Sequence, residues 1–242
     1  MKQFFTAFLS ILLIFSVSAQ TPKKPTAKPI QGGTHTAIPK KERLVLLMTD
    51  FGNMTIKLYD STPLHRDNFI KLVKQGFYDS LLFHRIIQGF MIQGGDPTSK
   101  NADSTAMLGG GEVPGGSRIP AEFKPYLIHK KGALAMARDD NPEKASSGCQ
   151  FYIVQGQIND DAAINKALCE RIYSSNPAFY YTEAQRKIYK TIGGTPGLDQ
   201  NYTVFGEVIK GLDVIDKIAG QPRDMNSDRP LKDVRMKMKM LN

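Results

Sequence analysis

Phe83-His84-Arg85-Ile86-Ile87-Gln88-Gly89-Phe90-Met91-Ile92-Gln93-Gly94-Gly95-Asp96 combines strand patterning with an unusual set of polar side chains. Its apolar residues fit two short strands. Arg85, a permanent cation, and Gln93, a neutral amide, flank the bulky pair Phe90-Met91, and a Gly-Gly turn follows. One fixed donor, one amide and one apolar surface suit a neutral, partly apolar ligand. In an arbitrary sequence Arg85 would be a surface ion pair and Phe90 and Met91 would be core. The rest of the chain decides between these readings.

Before this stretch, Leu44 to Met48 and Met54 to Leu58 read as two strands of a hairpin, with Asp50-Phe51-Gly52-Asn53 at the turn. Thr62 is placed as a helix N-cap with Pro63 at the first helical position, and Phe69, Leu72 and Val73 share one face until Gly76. After it, the glycines of the loop 97–116 match neither the dinucleotide nor the Walker spacing, so they read as backbone turns. Gly132 to Ala137 and Gln150 to Val154 are further strands. Residues 158–192 break the pattern with two helical segments, Asp161 to Tyr173 and Glu183 to Thr191 behind a Thr182 cap, and read as an insertion. Strand patterning resumes at Tyr202 to Val208, a short helix spans Leu212 to Ala219, and Val234, Met236, Met238 and Met240 alternate with basic residues in a last strand.

The N-terminal region has a different texture. Lys2 precedes an apolar run, Phe4 to Val17, ending in Val17-Ser18-Ala19, which reads as a secretory signal over 1–19. The run is too short to span a bilayer, for which roughly 20 residues are needed. Residues 20–41, with four prolines and little to bury, read as a tether, leaving 42–242 as the folded domain. The expected location is therefore exported, periplasmic or secreted. The formal net charge of +9 is spread along the chain without an arginine-rich block, which argues against nucleic acid as a partner. Cys149 and Cys169 match no zinc spacing; they permit one disulfide or two free thiols.

Many short strands, two capping helices and glycine-rich connections point to a mainly β, closed antiparallel barrel. Three blocks then resemble, in family order, the cyclophilin-type peptidyl-prolyl cis-trans isomerases. They are Phe83 to Asp96, then Gly132 to Ala137 with Gly148 to Ile153, and last Tyr202 to Val208. The resemblance implies an eight-stranded barrel with its site on the outer face. It places the catalytic arginine on Arg85, with Gln93 assisting, and a proline pocket on Phe90, Met91, Phe151 and Leu198. Met136, Ala137, Gln150 and Tyr202 would line the groove. Gly197 stands where many members have tryptophan or histidine, Arg138 where many have asparagine, and Cys149 where serine is common. No cofactor or metal is implied; the partners would be proline-containing unfolded or exported polypeptides, bound by a monomer. The alternative is a catalytically silent module that binds proline segments. A hydrolase lacks a nucleophile elbow in this sequence. The insertion, lying beside Leu198, is read as a contributor to client binding.

Overall fold

The computed structural model describes residues 42–116 and 118–241. The expected signal (1–19) and tether (20–41) lie outside the described residues. Eight strands form one antiparallel sheet: β1 (Arg43–Thr49), β2 (Gly52–Leu58), β3 (Arg85–Ile87), β4 (Met91–Gly94), β5 (Ala133–Met136), β6 (Phe151–Val154), β7 (Val204–Lys210) and β8 (Lys237–Met240). Their order is β3-β4-β6-β5-β7-β2-β1-β8. The expected closed barrel is thus corrected to an open half-barrel, because the end strands β3 and β8 share no ladder.

The reason lies in the chain beside those strands. The segments preceding β3 and β8 meet through a single bridge, Leu82 with Arg235, and through short bonds such as Phe83 N–H to the Val234 carbonyl at 2.9 Å. The strand expected over Val234 to Met240 pairs with β1 only in its second half. The loop 221–233 then covers the free edge of β3: Ile86 N–H donates to the Asp228 carbonyl at 2.9 Å, and Arg223 Nη1 donates to the Ile86 carbonyl at 3.0 Å. A covered edge offers no template to another chain.

Among the described residues there are four α-helices: α1 (Pro63–Lys74), α2 (Asp161–Ala167), α3 (Glu183–Thr191) and α4 (Leu212–Ala219). The two expected caps are α1 and α4, whose Phe69, Leu72, Ile215 and Ile218 join Leu47, Ile56, Ile92 and Leu134 of the inner sheet face in one core. Thr62 occupies the N-cap of α1, but its hydroxyl makes no capping bond. Glu122 takes that role instead, accepting from the N–H groups of Leu64 at 3.2 Å and His65 at 3.0 Å. A carboxylate at a helix N-terminus satisfies orphan donors and complements the dipole. The same carboxylate lies 2.7 Å from His65 Nδ1, and His65 Nε2 lies 2.9 Å from Ser146 Oγ.

The insertion has its own apolar cluster, in which Ile164, Leu168, Ile172, Phe179, Tyr181 and Tyr189 pack with Ile128. Its second helix starts as expected, with a capping box between Thr182 and Gln185. The first is shorter than expected: α2 ends at Ala167 and passes into a π-helical turn over Leu168–Ile172. Both cysteines are free thiols, Cys149 buried and Cys169 exposed. Burial, with Glu112 close by, pushes the Cys149 thiol up to about 12, so it stays protonated.

Candidate active site

The chemistry gathers where β3, β4, β5 and β6 turn their outer faces to solvent. Register decides which side chains arrive there. Arg85 pairs with Gln93, and Ile87 with Met91, across β3 and β4. Gln93 and Met91 in turn face Tyr152 and Val154 of β6, while the intervening Ile92 and Ile153 point into the core. Cross-strand partners share a face, so Arg85, Met91, Gln93 and Tyr152 all stand outside. On β5 the outward positions are Ala133 and Ala135, followed by Ala137 just past the strand end. Their small side chains leave a depression between the strands and the covering residues Leu198 and Tyr202.

That depression is a cavity of about 120 Å³ lined by Arg85, Phe90, Met91, Gln93, Ala137, Arg138, Tyr152, Leu198 and Tyr202. It suits one small apolar ring, since sites for drug-sized ligands run to roughly 300–1,000 Å³. Its ionisable members are two arginines and two phenols; among the described residues no carboxylate, imidazole or thiol lines it. Burial raises the Tyr152 phenol well above its ordinary value, so it remains a proton-bearing donor. The cavity is equipped for fixed positive charge and apolar contact, without an acid–base pair.

Arg85 is held from two sides. Its Nε lies 3.2 Å from Asp228 Oδ2 and its Nη1 lies 3.5 Å from Gln93 Oε1, with the side chain 39% exposed. Gln93 Nε2 donates to Gln150 Oε1 at 3.3 Å, and Gln150 Nε2 donates to the carbonyls of Gly109 and Gly111, each at 2.9 Å. The glycine loop therefore orients the arginine through two amides. The loop is fixed in turn by Asp96, whose Oδ2 accepts from Gly109 N–H at 2.5 Å and Gly111 N–H at 3.3 Å. Burial opposes ionisation of Asp96, but bonds from Thr98, Gly109 and Gly111 outweigh it and hold the carboxyl below its usual range.

Of the ten residues assigned from sequence, seven line the cavity and three do not. Gln150 stands behind Gln93 as a positioning amide. Met136 points into the core, and so does Phe151, fully buried and edge-on to Phe69, Tyr78 and Phe83. The two assignments to the groove are corrected by strand alternation: Ala137 and Tyr152, one residue further along, take the outer positions. Sequence reasoning also missed Asp228, which arrives from a loop 143 residues away from Arg85.

Tyr152 has a polar partner beneath the cavity. Its hydroxyl lies 2.9 Å from His129 Nε2, and His129 Nδ1 lies 2.7 Å from Asp199 Oδ1. Asp199 Oδ2 accepts from Tyr181 at 2.8 Å and Tyr189 at 2.6 Å, both from the insertion. This buried network ties the insertion to the segment that carries Leu198. Above it, the Arg138 guanidinium sits 4.7 Å from the Tyr202 ring centroid.

Comparison with known proteins identifies the family. The family described as cyclophilin type peptidyl-prolyl cis-trans isomerase/CLD matches residues 44–240. A Staphylococcus haemolyticus protein provisionally named peptidyl-prolyl cis-trans isomerase is 36% identical over 198 residues, covering 81% of this chain and 90% of the relative. A similarly named Staphylococcus epidermidis protein is 37% identical over 198 residues, with the same coverage of 81% and 90%. The crystal structure of a Cryptosporidium parvum cyclophilin superposes with a TM-score of 0.60 at 24% identity, over 84% of this chain and 99% of that one, which shows the shared fold. The same protein was crystallised in the presence of the dipeptide Ala-Pro. The chain belongs to the cyclophilin-type peptidyl-prolyl cis-trans isomerase family.

Proposed function

We propose that this isomerase acts on X-Pro bonds of incompletely folded exported polypeptides, holding the prolyl ring in the cavity of Phe90, Met91, Tyr152 and Leu198 while Arg85 stabilises the twisted amide. The observation that carries this reading is the pairing of a small apolar cavity with a guanidinium fixed by Asp228 and Gln93. The Ala-Pro dipeptide used with the C. parvum cyclophilin is the same ligand chemistry. Lys2, the apolar run Phe4 to Val17 and Val17-Ser18-Ala19 support export.

The reaction makes and breaks no bond. Resonance gives the peptide bond a barrier of about 18–20 kcal/mol, and before proline the spontaneous flip takes tens to hundreds of seconds. A rate gain of about 10⁵ requires roughly 7 kcal/mol of preferential transition-state binding. As the bond twists, the prolyl nitrogen becomes pyramidal and gains a lone pair, and a fixed donor bonds it more strongly than it bonds the planar amide. Arg85 supplies that donor at any working pH. Apolar contacts immobilise the ring, so the acyl side turns against an anchored proline. Among the described residues no acid–base pair lines the cavity, which suits a reaction without proton transfer.

The test is catalysed cis-trans exchange of a proline peptide by the purified full chain. Arg85→Ala is expected to lower kcat/KM at least tenfold with an unchanged circular dichroism spectrum. Near-full activity in a folded Arg85→Ala protein would contradict the mechanism.

A further inference from the structure

We infer that the insertion adds a cationic subsite beside the prolyl cavity, with Arg171 as its specificity-determining residue, and that the enzyme favours proline segments carrying a carboxylate side chain next to the proline. The inference rests on the isomerase reading above and names the class of client that reading leaves open.

A groove of about 600 Å³ continues from the prolyl cavity toward the insertion. It shares Arg85, Phe90, Arg138, Leu198 and Tyr202 with the cavity and adds Arg171 and Glu170 from the π-helical turn. Gly197 is the position where the resemblance implies a large aromatic wall. A Cβ placed on Gly197 would meet Arg171 Cγ at 3.7 Å, an ordinary packing distance. The stem of Arg171 packs beside Gly197, and Arg171 is among the residues that line the groove.

The surrounding charge is predominantly positive and is organised by Asn201. Its carbonyl accepts from Arg138 Nε at 3.0 Å, its side-chain oxygen accepts from Lys144 Nζ, and its side-chain nitrogen donates to the Arg171 carbonyl at 2.9 Å. Two basic side chains, Arg138 and Lys144, thus meet Asn201, which also bonds the backbone of the turn that carries Arg171. Burial and the proximity of Arg138 lower the affinity of Lys144 for its proton. The opposing charges are modest: Glu170 lines the same groove, Asp228 is engaged by Arg85 and Arg223, and Asp140, fully exposed, lies 3.7 Å from Arg138. Among the described residues no carboxylate within ion-pair distance meets Arg171. A client carboxylate would enter a field already built by Arg171 and Arg138, with no rearrangement of the prolyl cavity.

The experiment measures catalysed isomer exchange by NMR, which needs no coupling protease, with the full chain. Peptides carry Glu, Gln or Lys immediately before proline in one series and immediately after it in another. One of the two series is expected to show kcat/KM about three- to tenfold higher for Glu than for Gln, and lower for Lys than for Gln. The Glu/Gln ratio should fall toward one at about 0.5 M salt, where screening is strong, and in Arg171→Gln, and it should survive in Arg171→Lys. A Glu/Gln ratio near one in both series, or a preference unchanged in Arg171→Gln, would overturn the subsite while leaving the isomerase reading intact. Failure to accelerate any peptide would instead strike at that reading, and the subsite would fall with it.

Discussion

Phe151 and Tyr152 are neighbours in β6, yet they serve opposite sides of the sheet. Phe151 is wholly buried against Phe69, Tyr78 and Phe83 on the inner face. Tyr152 lies on the outer face, beneath the cavity beside Arg85 and Met91, with its hydroxyl tied to His129. The same division runs through β5, where Leu134 and Met136 fill the core while Ala133 and Ala135, alternating with them, leave the depression on the outer face. In this fold stability and chemistry are assigned to alternate residues of the same strands. A substitution should therefore disturb one or the other according to parity.

The largest effect should come from the inner face. Phe151→Ala is expected to destabilise the protein by about 3–5 kcal/mol, read as a shift of the denaturant midpoint at constant slope. Activity per folded molecule should remain within a few-fold of wild type. Heavy loss of activity at full stability would assign Phe151 to the groove after all.

Acid should act on the inner structure next. His84 is buried with neither ring nitrogen hydrogen-bonded, and burial lowers it to about 4. A histidine whose folded value lies below its unfolded value of about 6.5 contributes stability that is whole above that value. That contribution, on the order of 3 kcal/mol, is lost as pH falls from about 6.5 through 4. Urea midpoints measured at pH 7, 5.5 and 4.5 should decline, and His84→Gln should flatten the decline; a flat profile in the wild type would refute the assignment.

The smallest effect should come from the outer face beneath the ring. Tyr152→Phe keeps the aromatic wall and removes only the bond to His129, so about 1 kcal/mol of stability should go, with kcat/KM changed less than threefold. A tenfold or greater loss of kcat/KM would mean that the hydroxyl itself touches the reaction.

Legibility in the sequence followed the same parity. The motif around Arg85, Phe90, Met91 and Gln93 could be placed because it resembles a family block, in which Arg85 and Gln93 stand out as isolated polar residues among apolar ones. The run Gln150 to Val154 carries four consecutive apolar or aromatic residues, so no period of two betrays which face each takes. The pairing of Gln93 with Tyr152 supplies the missing phase, and it exists only once the sheet is formed. Local signals were read correctly where the physics is local, as at the Thr182 cap, which Gln185 completes as a capping box. They failed where a distant residue intervenes. Thr62 was the right type at the right place, but Glu122 reaches the start of α1 from 58 residues away. Likewise Asp228 and its loop cover the edge that a closed barrel would have paired.

The most direct test of this division is a methyl NMR titration of the full chain, with the methionine methyl groups carbon-13 labelled, against a proline peptide. Met91 borders the cavity on the outer face, and Met136 lies two strands away, across β6, on the inner face. The account predicts a saturable shift of the Met91 methyl with Met136 nearly unmoved. A shift of Met136 with Met91 silent would contradict it, and place the ligand on the wrong side of the sheet.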